Sequence, residues 1–406
     1  MASDSNSHQL YQSARESKEL PLPDALAQAH SEKLIALIKD EINHNEGAIS
    51  FQKFMDLALY APGLGYYAAG SIKLGKDGDF ITAPEISPLF SRALANAILP
   101  VLNQVHTILE VGAGSGCMAT DILLFLEEKN CLPEEYWILE LSADLRARQR
   151  DTIEQEAPQL LDRVKWLDSL PEHFSAVVLG NELLDAMPVQ LFQKNSEANE
   201  FNEIKIVWEN ESFAYRLDRS DEPRLLQRLT DIENSIGCNI PAGYISEINF
   251  AAEDWIKSIA DRLKQGFILL VDYGFPRHEY YHPQRNQGTL MCHYRHRAHA
   301  DPFVYPGLQD ITAHVDFTAM ADAALAAGLK VKGYTTQVNF LMGAGLAELA
   351  AAIEQSDMKK QMEVAAQIKK LTLPHEMGEL FKVIGFSKNC DIDMPAFSFR
   401  DLREYL

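Results

Sequence analysis

Thr107-Ile-Leu-Glu110-Val111-Gly112-Ala113-Gly114-Ser115-Gly116-Cys117 reads as a short apolar strand that runs into a glycine turn and leaves it in a helix beginning near Cys117. Glycine is needed in such a turn where backbone must approach a ligand closely or adopt conformations that a Cβ obstructs. A dinucleotide site would read GxGxxG, the last small residue letting helix and strand pack. Counting from Gly112, that place holds Cys117, so the match is imperfect. A tight turn without a ligand is the plainer alternative. Charge separates the possibilities: the carboxylate of Glu110 at the strand tip would sit badly beside a pyrophosphate but well beside the cationic sulfonium and ammonium of S-adenosylmethionine.

Outward from this loop, apolar runs alternate with helical patterns: Tyr136 to Leu141, Val164 to Leu167, Ala176 to Leu179 and Phe267 to Asp272, then Leu329 to Tyr334 and Phe381 to Phe386. Such alternation implies an α/β fold, a Rossmann-like mostly parallel sheet with helices on both faces. Residues 1–30 read as a flexible arm before a helix starting near Ser31, and 31–100 as an N-terminal helical and loop segment covering the cofactor. Within that segment Phe51 to Pro88, dense in Gly, Pro and Tyr, predicts ordered loop. The core is expected over 101–189 and 245–390, with a hairpin-containing insertion over 190–244 and a helical insertion over 339–375. The hairpin pairs Phe201 to Trp208 with Ser212 to Leu217 across Glu209-Asn210-Glu211.

Two further acids extend the charge argument. Glu140 ends the second strand, where such folds present an acceptor for both ribose hydroxyls, and Asp168 ends the third, placed to meet the adenine edge. Each alone is more often just a solvated strand end; together with Glu110 they predict an acidic rim. Gly180-Asn181-Glu182-Leu-Leu-Asp185-Ala-Met-Pro188 follows the fourth strand, where α/β enzymes put reacting groups. If the chain turns helical after Asn181, Glu182 and Asp185 share a face and could clamp a guanidinium. The alternative makes Asp185 a helix cap. In Gly307 to Phe317, Asp310, Thr312 and His314 either line the site or, through Asp310 and Thr312, cap a helix.

A formal net charge of −21 argues against nucleic-acid and anionic-membrane partners and for a basic protein partner. The five cysteines are scattered without a CxxC pair, so neither zinc nor a disulfide framework is indicated. His293, His296 and His299 recur every third residue, but Arg295 and Arg297 interleave with them, which favours a basic or core-lining loop over a metal site. No run approaches the roughly 20 apolar residues of a membrane span, and no signal peptide is recognisable.

The stretches Phe54 to Tyr67, Gly78 to Ser87, Glu110 to Gly116, Gly180 to Val189, Asp310 to Phe317 and Pro374 to Val383 resemble the MidA-like family, relatives of the mitochondrial methyltransferase that assists complex I assembly. The resemblance implies a class I methyltransferase fold that uses S-adenosylmethionine and releases S-adenosylhomocysteine. It also implies symmetric dimethylation of an arginine on a protein, by analogy a complex I subunit. It makes Gly112 and Gly114 cofactor-loop positions, lays Asp79, Thr82 and Pro84 over the cofactor, and matches Glu182 and Asp185 to the family's Asn-Glu-x-x-Asp-Ala stretch; Gly116 and Asn181 join the candidate cofactor contacts, and His314 joins Glu182 and Asp185 as a candidate catalytic residue. The absence of an Arg-rich presequence points to a bacterial cytoplasmic protein and away from the mitochondrial matrix. A homodimer is compatible with the sequence. The competing functions are a methyltransferase for a small molecule or another residue type, a non-catalytic S-adenosylmethionine-binding assembly chaperone and, more distantly, a nicotinamide dehydrogenase.

Overall fold

The computed structural model describes residues 20–69, 81–195, 200–353 and 358–406. Seven strands build the central sheet: β1 Thr107–Val111, β2 Glu135–Leu139, β3 Val164–Leu167, β4 Phe174–Asn181, β5 Leu263–Phe275, β6 Lys330–Thr336 and β7 Phe381–Lys388. They lie in the order β3-β2-β1-β4-β5-β7-β6, with a short strand, Val315–Asp316, added parallel to the end of β5. Strands β1 to β5 are parallel, and β7 runs antiparallel between β5 and β6. This is the expected Rossmann-like sheet of a class I methyltransferase, with its last strand inserted between neighbours.

Ala176–Leu179 and Phe267–Val271 are buried throughout, because helices cover both faces of the sheet. On one face, Pro88–Leu102 and Cys117–Glu128 pack through Phe90, Ile98, Ile122 and Phe125; on the other, Phe250–Arg262 and Phe317–Ala326 pack through Ile256, Ile259, Met320 and Ala324.

A second, antiparallel sheet contains the expected hairpin, Phe201–Glu209 with Ser212–Arg219, together with Ile49–Ser50, Gln190–Lys194 and Ile245–Ile248. Asn210 and Glu211 turn the hairpin with φ of 49° and 60°, the pair of left-handed residues that a two-residue hairpin turn requires. This sheet packs on helices Ala25–His44 and Phe51–Tyr60 through Ile38, Phe54, Ile206 and Phe213. A three-stranded sheet of Met291–Tyr294, Arg297–His299 and Asp310–Thr312 completes the wall beside β5.

Three expectations are corrected. Phe51–Tyr60, expected as loop, is a helix: Ser50 Oγ accepts the N–H of Lys53 at 3.1 Å, and Phe51, Phe54, Met55, Ala58 and Leu59 recur at helical spacing on its buried side. The glycine and proline density lies beyond Tyr60 and hid that period. The first helix starts at Ala25, six residues before Ser31, because Asp24 caps it by accepting from Leu26 and Ala27. The chain after Asn181 is not helical; Glu182 takes φ +51° and the loop runs irregularly into Gln190.

Parallel register aligns the carboxyl ends of the strands: Val111 lies beside Gly180 and Leu139, and Asn181 beside Val271. The crevice between β1 and β4, where the strand order reverses, is where open α/β sheets take their ligands.

Candidate active site

At that crevice lies a cavity of about 490 Å³, within the range of roughly 300–1,000 Å³ usual for small-molecule sites. On the β1 side its wall is the glycine turn. Gly112, Gly114 and Gly116 take φ of 69°, 54° and 87°, and a Cβ on Gly116 would lie 2.9 Å from the Cα of Gln149. Gln149 in turn donates to the carbonyl of Gly114 and to Glu140 Oε2, each at 3.1 Å. The turn therefore needs glycine both for its backbone and for the close passage of the neighbouring helix.

Glu110 is 1% exposed, and the hydroxyl of Tyr136 donates to its Oε2 at 2.6 Å. Burial pushes its carboxyl up to about 7, against the pull of that bond. Glu140 also lines the cavity; burial raises it, while the N–H of Ser142 at 2.9 Å and the amide of Gln149 favour its charge. Asp168 does not join them. Its side chain is 91% exposed and bridges to Arg146 at 2.8 Å; Arg146 is itself fixed on the carbonyls of Glu140 and Leu167. The expected rim of three acids is, on the cavity, a pair.

Thr82, Pro84, Ser115 and Cys117 line the same side. Asp79 lies outside the described residues.

Across the cavity stand Asn181, Glu182, Asp185, Asp310, Thr312 and His314. Glu182 and Asp185 come together without a helix: the N–H of Glu182 donates to the carbonyl of Val271 at 2.9 Å, and Asp272 Oδ2 accepts from Leu183 and Leu184 at 3.1 and 2.8 Å. The hydroxyl of Tyr273 donates to Asp185 Oδ2. Burial drives all three carboxyls up, Glu182 to about 8, Asp185 to about 6 and Asp272 well above the usual range; the charge of Asp185 adds to the rise of both neighbours. Neither Asp310 nor Thr312 caps a helix: both belong to a strand, and Asp316 is the cap, accepting from Ala319 at 3.1 Å. His314 stacks flat on Phe275 with ring centres 5.4 Å apart, and burial with nearby Arg285 and Lys382 holds it down to about 4, hence neutral at pH 7.

His293 faces the cavity from a strand, His296 sits on the exposed hairpin turn and His299 is half-buried one strand away. Among the described residues no three metal-ligating side chains converge.

Sequence reasoning missed Tyr60, Tyr67, Asp272 and Tyr273. Asp272 ends the run Phe267 to Asp272 and Tyr273 follows it, and the rule that strand tips carry chemistry, applied to the fifth strand as it was to the first four, would have found them. Nothing local marks Tyr60 and Tyr67; only the folding of the second helix brings them to the wall.

The wall holds five carboxylates, Glu110, Glu140, Glu182, Asp185 and Asp310, and among the described residues no Lys or Arg. A diphosphate would meet repulsion there, and a sulfonium nucleoside attraction. The family whose description reads "Putative S-adenosyl-L-methionine-dependent methyltransferase" matches residues 93–335, more than half of the chain. The chain belongs to this family. It is an S-adenosylmethionine-dependent methyltransferase of the MidA-like group. A crystal structure of a COG1565 superfamily member from Burkholderia thailandensis, bound to S-adenosyl-homocysteine, is similar over 95% of this chain and 100% of its own, with TM-score 0.91 and 44% identity. The protein arginine methyltransferase NDUFAF7 of Danio rerio is 27% identical, covering 83% of this chain and 82% of its own; the Drosophila melanogaster homologue is 26% identical, covering 90% and 87%.

The cradle on the β1 side fits that cofactor: the glycine turn could pass close to its amino-acid end, with Glu110 and Glu140 as the acids for its cation and ribose. When bound, S-adenosylmethionine supplies a methyl group on a cationic sulfur as the electrophile.

Proposed function

We propose that this methyltransferase acts on an arginine side chain of a protein. The observation that carries the reading is the set of buried acceptors without partners on the acceptor side: Asn181 Oδ1, Asp185 Oδ1 and His314 Nδ1 find no hydrogen-bond donor among the described residues. Buried acceptors left unmatched cost about 1–3 kcal/mol each, so the cavity calls for a ligand rich in N–H groups. A guanidinium offers five in a planar fork and a charge to match Glu182 and Asp185. The naming of the 26–27% identical relatives as protein arginine methyltransferases supports the same substrate class. The complex I subunit suggested by the family resemblance is the first acceptor to try, in the cytoplasm of a bacterial host.

Methyl transfer to nitrogen forms an N–C bond as the S–C bond breaks, and the acceptor nitrogen gives up a proton. In this reading Asp185 orients the guanidinium, and Glu182, raised by burial to about 8 and ionised by the bound cations, receives that proton. Neutral His314 accepts a further N–H, and the aromatic wall of Tyr60, Tyr67 and Tyr273 keeps water away from the reacting nitrogen.

The test is incubation of the protein with labelled S-adenosylmethionine and lysate of its source, followed by mass spectrometry of the labelled proteins. Label on arginine is the expected result. Label confined to the small-molecule fraction overturns the reading.

A further inference from the structure

The acceptor side contains two tyrosine–aspartate pairs of the same design. In one, Tyr273 donates to Asp185 Oδ2; in the other, Tyr67 donates to Asp310 Oδ1 at 2.9 Å. Both aspartates line the cavity and are nearly inaccessible, Asp185 at 5% and Asp310 at 3%. Their frames are stitched together. The N–H of Ala313, next to the strand carrying Asp310, donates to the carbonyl of Asp185 at 3.0 Å. Tyr60 stacks on Tyr67 with centres 5.6 Å apart and planes 20° apart, and its hydroxyl donates to the carbonyl of Ala186 at 2.9 Å. Each of the three tyrosine hydroxyls spends its one proton on these bonds, so none is left to donate to a ligand.

The partnerless Oδ1 of Asp185 on the same cavity indicates that this polar wall is completed by a ligand. We propose that Asp310, held by Tyr67, is a second orienting carboxylate of the acceptor subsite beside Asp185, with Glu182 as the proton acceptor, and makes it select a guanidinium over an ammonium; this rests on the arginine reading above. Two carboxylates carried on separate elements suit a planar cation with N–H groups pointing along several fixed directions. A compact ammonium on a flexible stem gains little from the second one. The stacked face of Tyr60 and Tyr67 offers the guanidinium plane a further surface.

The experiment measures calorimetric binding of three acetylated, glycine-flanked peptides, bearing arginine, lysine or citrulline at one position, to the full-length protein saturated with S-adenosylhomocysteine. Wild type should bind the arginine peptide at least tenfold more tightly than the other two. Asp310→Asn, which keeps the Tyr67 bond but loses the charge, should weaken the arginine peptide at least tenfold and narrow the arginine-to-lysine ratio, with S-adenosylhomocysteine affinity unchanged. If Asp310→Asn binds the arginine peptide within twofold of wild type at the same ratio, the subsite is refuted and the arginine reading stands. Wild type that prefers lysine, or binds none of the three, overturns both. Should Asp310→Asn lose S-adenosylhomocysteine binding through misfolding, Tyr67→Phe decides: a weakened arginine peptide supports the subsite, and an unchanged ratio ends it.

Discussion

Asp272 Oδ2 accepts the backbone N–H of Leu184 at 2.8 Å, and this bond ties the tip of β5 to the loop that carries Glu182 and Asp185. The same oxygen accepts from Leu183 and Asp185 at 3.1 and 3.4 Å, and Oδ1 from the N–H of Tyr273 at 2.9 Å. With both oxygens occupied by N–H donors, Asn in this place must set an amide against at least one of them. Asp272→Asn should therefore destabilise by about 1–3 kcal/mol and lower kcat at least tenfold through misplacement of Glu182 and Asp185, while KM and S-adenosylhomocysteine affinity change less. Steady-state kinetics beside a melting curve checks it; an unaltered kcat in the destabilised variant would separate the loop from the chemistry.

Glu182→Gln removes the proposed proton acceptor while keeping size and the bond from Asn181 Nδ2 to Oε1, at 3.0 Å in the wild type. General acid–base groups contribute typically 10²–10⁴-fold, so kcat should fall by about that factor with cofactor affinity within threefold. An assembly chaperone without turnover predicts something else: no product from wild type, and partner binding that the substitution leaves alone.

The sheet was legible because its strands are unmixed apolar runs separated by helical patterns, as parallel strands buried on both faces must be. The glycine turn was legible for a steric reason, since Gly116 sits where Gln149 forbids a Cβ. What the sequence concealed lies where long-range contacts override local signals. Asp168 resembles Glu140 at a strand tip, yet Arg146 draws it outward. Asp185 and Glu182 were matched to a guanidinium through helical spacing; a backbone held by Asp272 brings them together instead. The helix Phe51–Tyr60 was lost among glycines and prolines that belong to the chain beyond it, and with it went Tyr60 and the approach to Tyr67.

Acidity should couple to binding. Glu110, Asp185 and Glu182 have folded-state carboxyls near 7, 6 and 8, all above their ordinary values because of burial. A carboxyl raised in the folded state contributes stability that is complete below its unfolded value and is lost as pH climbs through the folded one. The ligand-free protein should then lose melting temperature between about pH 4 and pH 8, most steeply near pH 5 to 6, where the three carboxyls are still largely protonated in the folded chain and already ionised in the unfolded one. Cationic S-adenosylmethionine favours the ionised forms, so it should release protons on binding and raise the melting temperature more at pH 8 than at pH 6. Calorimetry in two buffers of different ionisation heat reads the protons directly; heats that do not depend on the buffer, with a flat melting profile, would remove the acid cluster from the binding equilibrium.

Two glycines with similar backbone angles separate the cost of conformation from the cost of space. Gly237 ends the helix Pro223–Ile236 with φ +69°, and a Cβ there would meet nothing within 4 Å. Gly116 has φ +87°, but a Cβ there would press 2.9 Å from the backbone of Gln149, the residue that holds both the carbonyl of Gly114 and the carboxylate of Glu140. Gly237→Ala should cost only the left-handed penalty, roughly 1–2 kcal/mol, and leave S-adenosylhomocysteine binding untouched. Gly116→Ala adds a shift of Gln149, which moves both walls of the cradle, so affinity should drop at least tenfold in protein whose circular dichroism still matches wild type. If the two variants bind S-adenosylhomocysteine equally well, the turn is a fold element alone and the cofactor lies elsewhere along the strand tips.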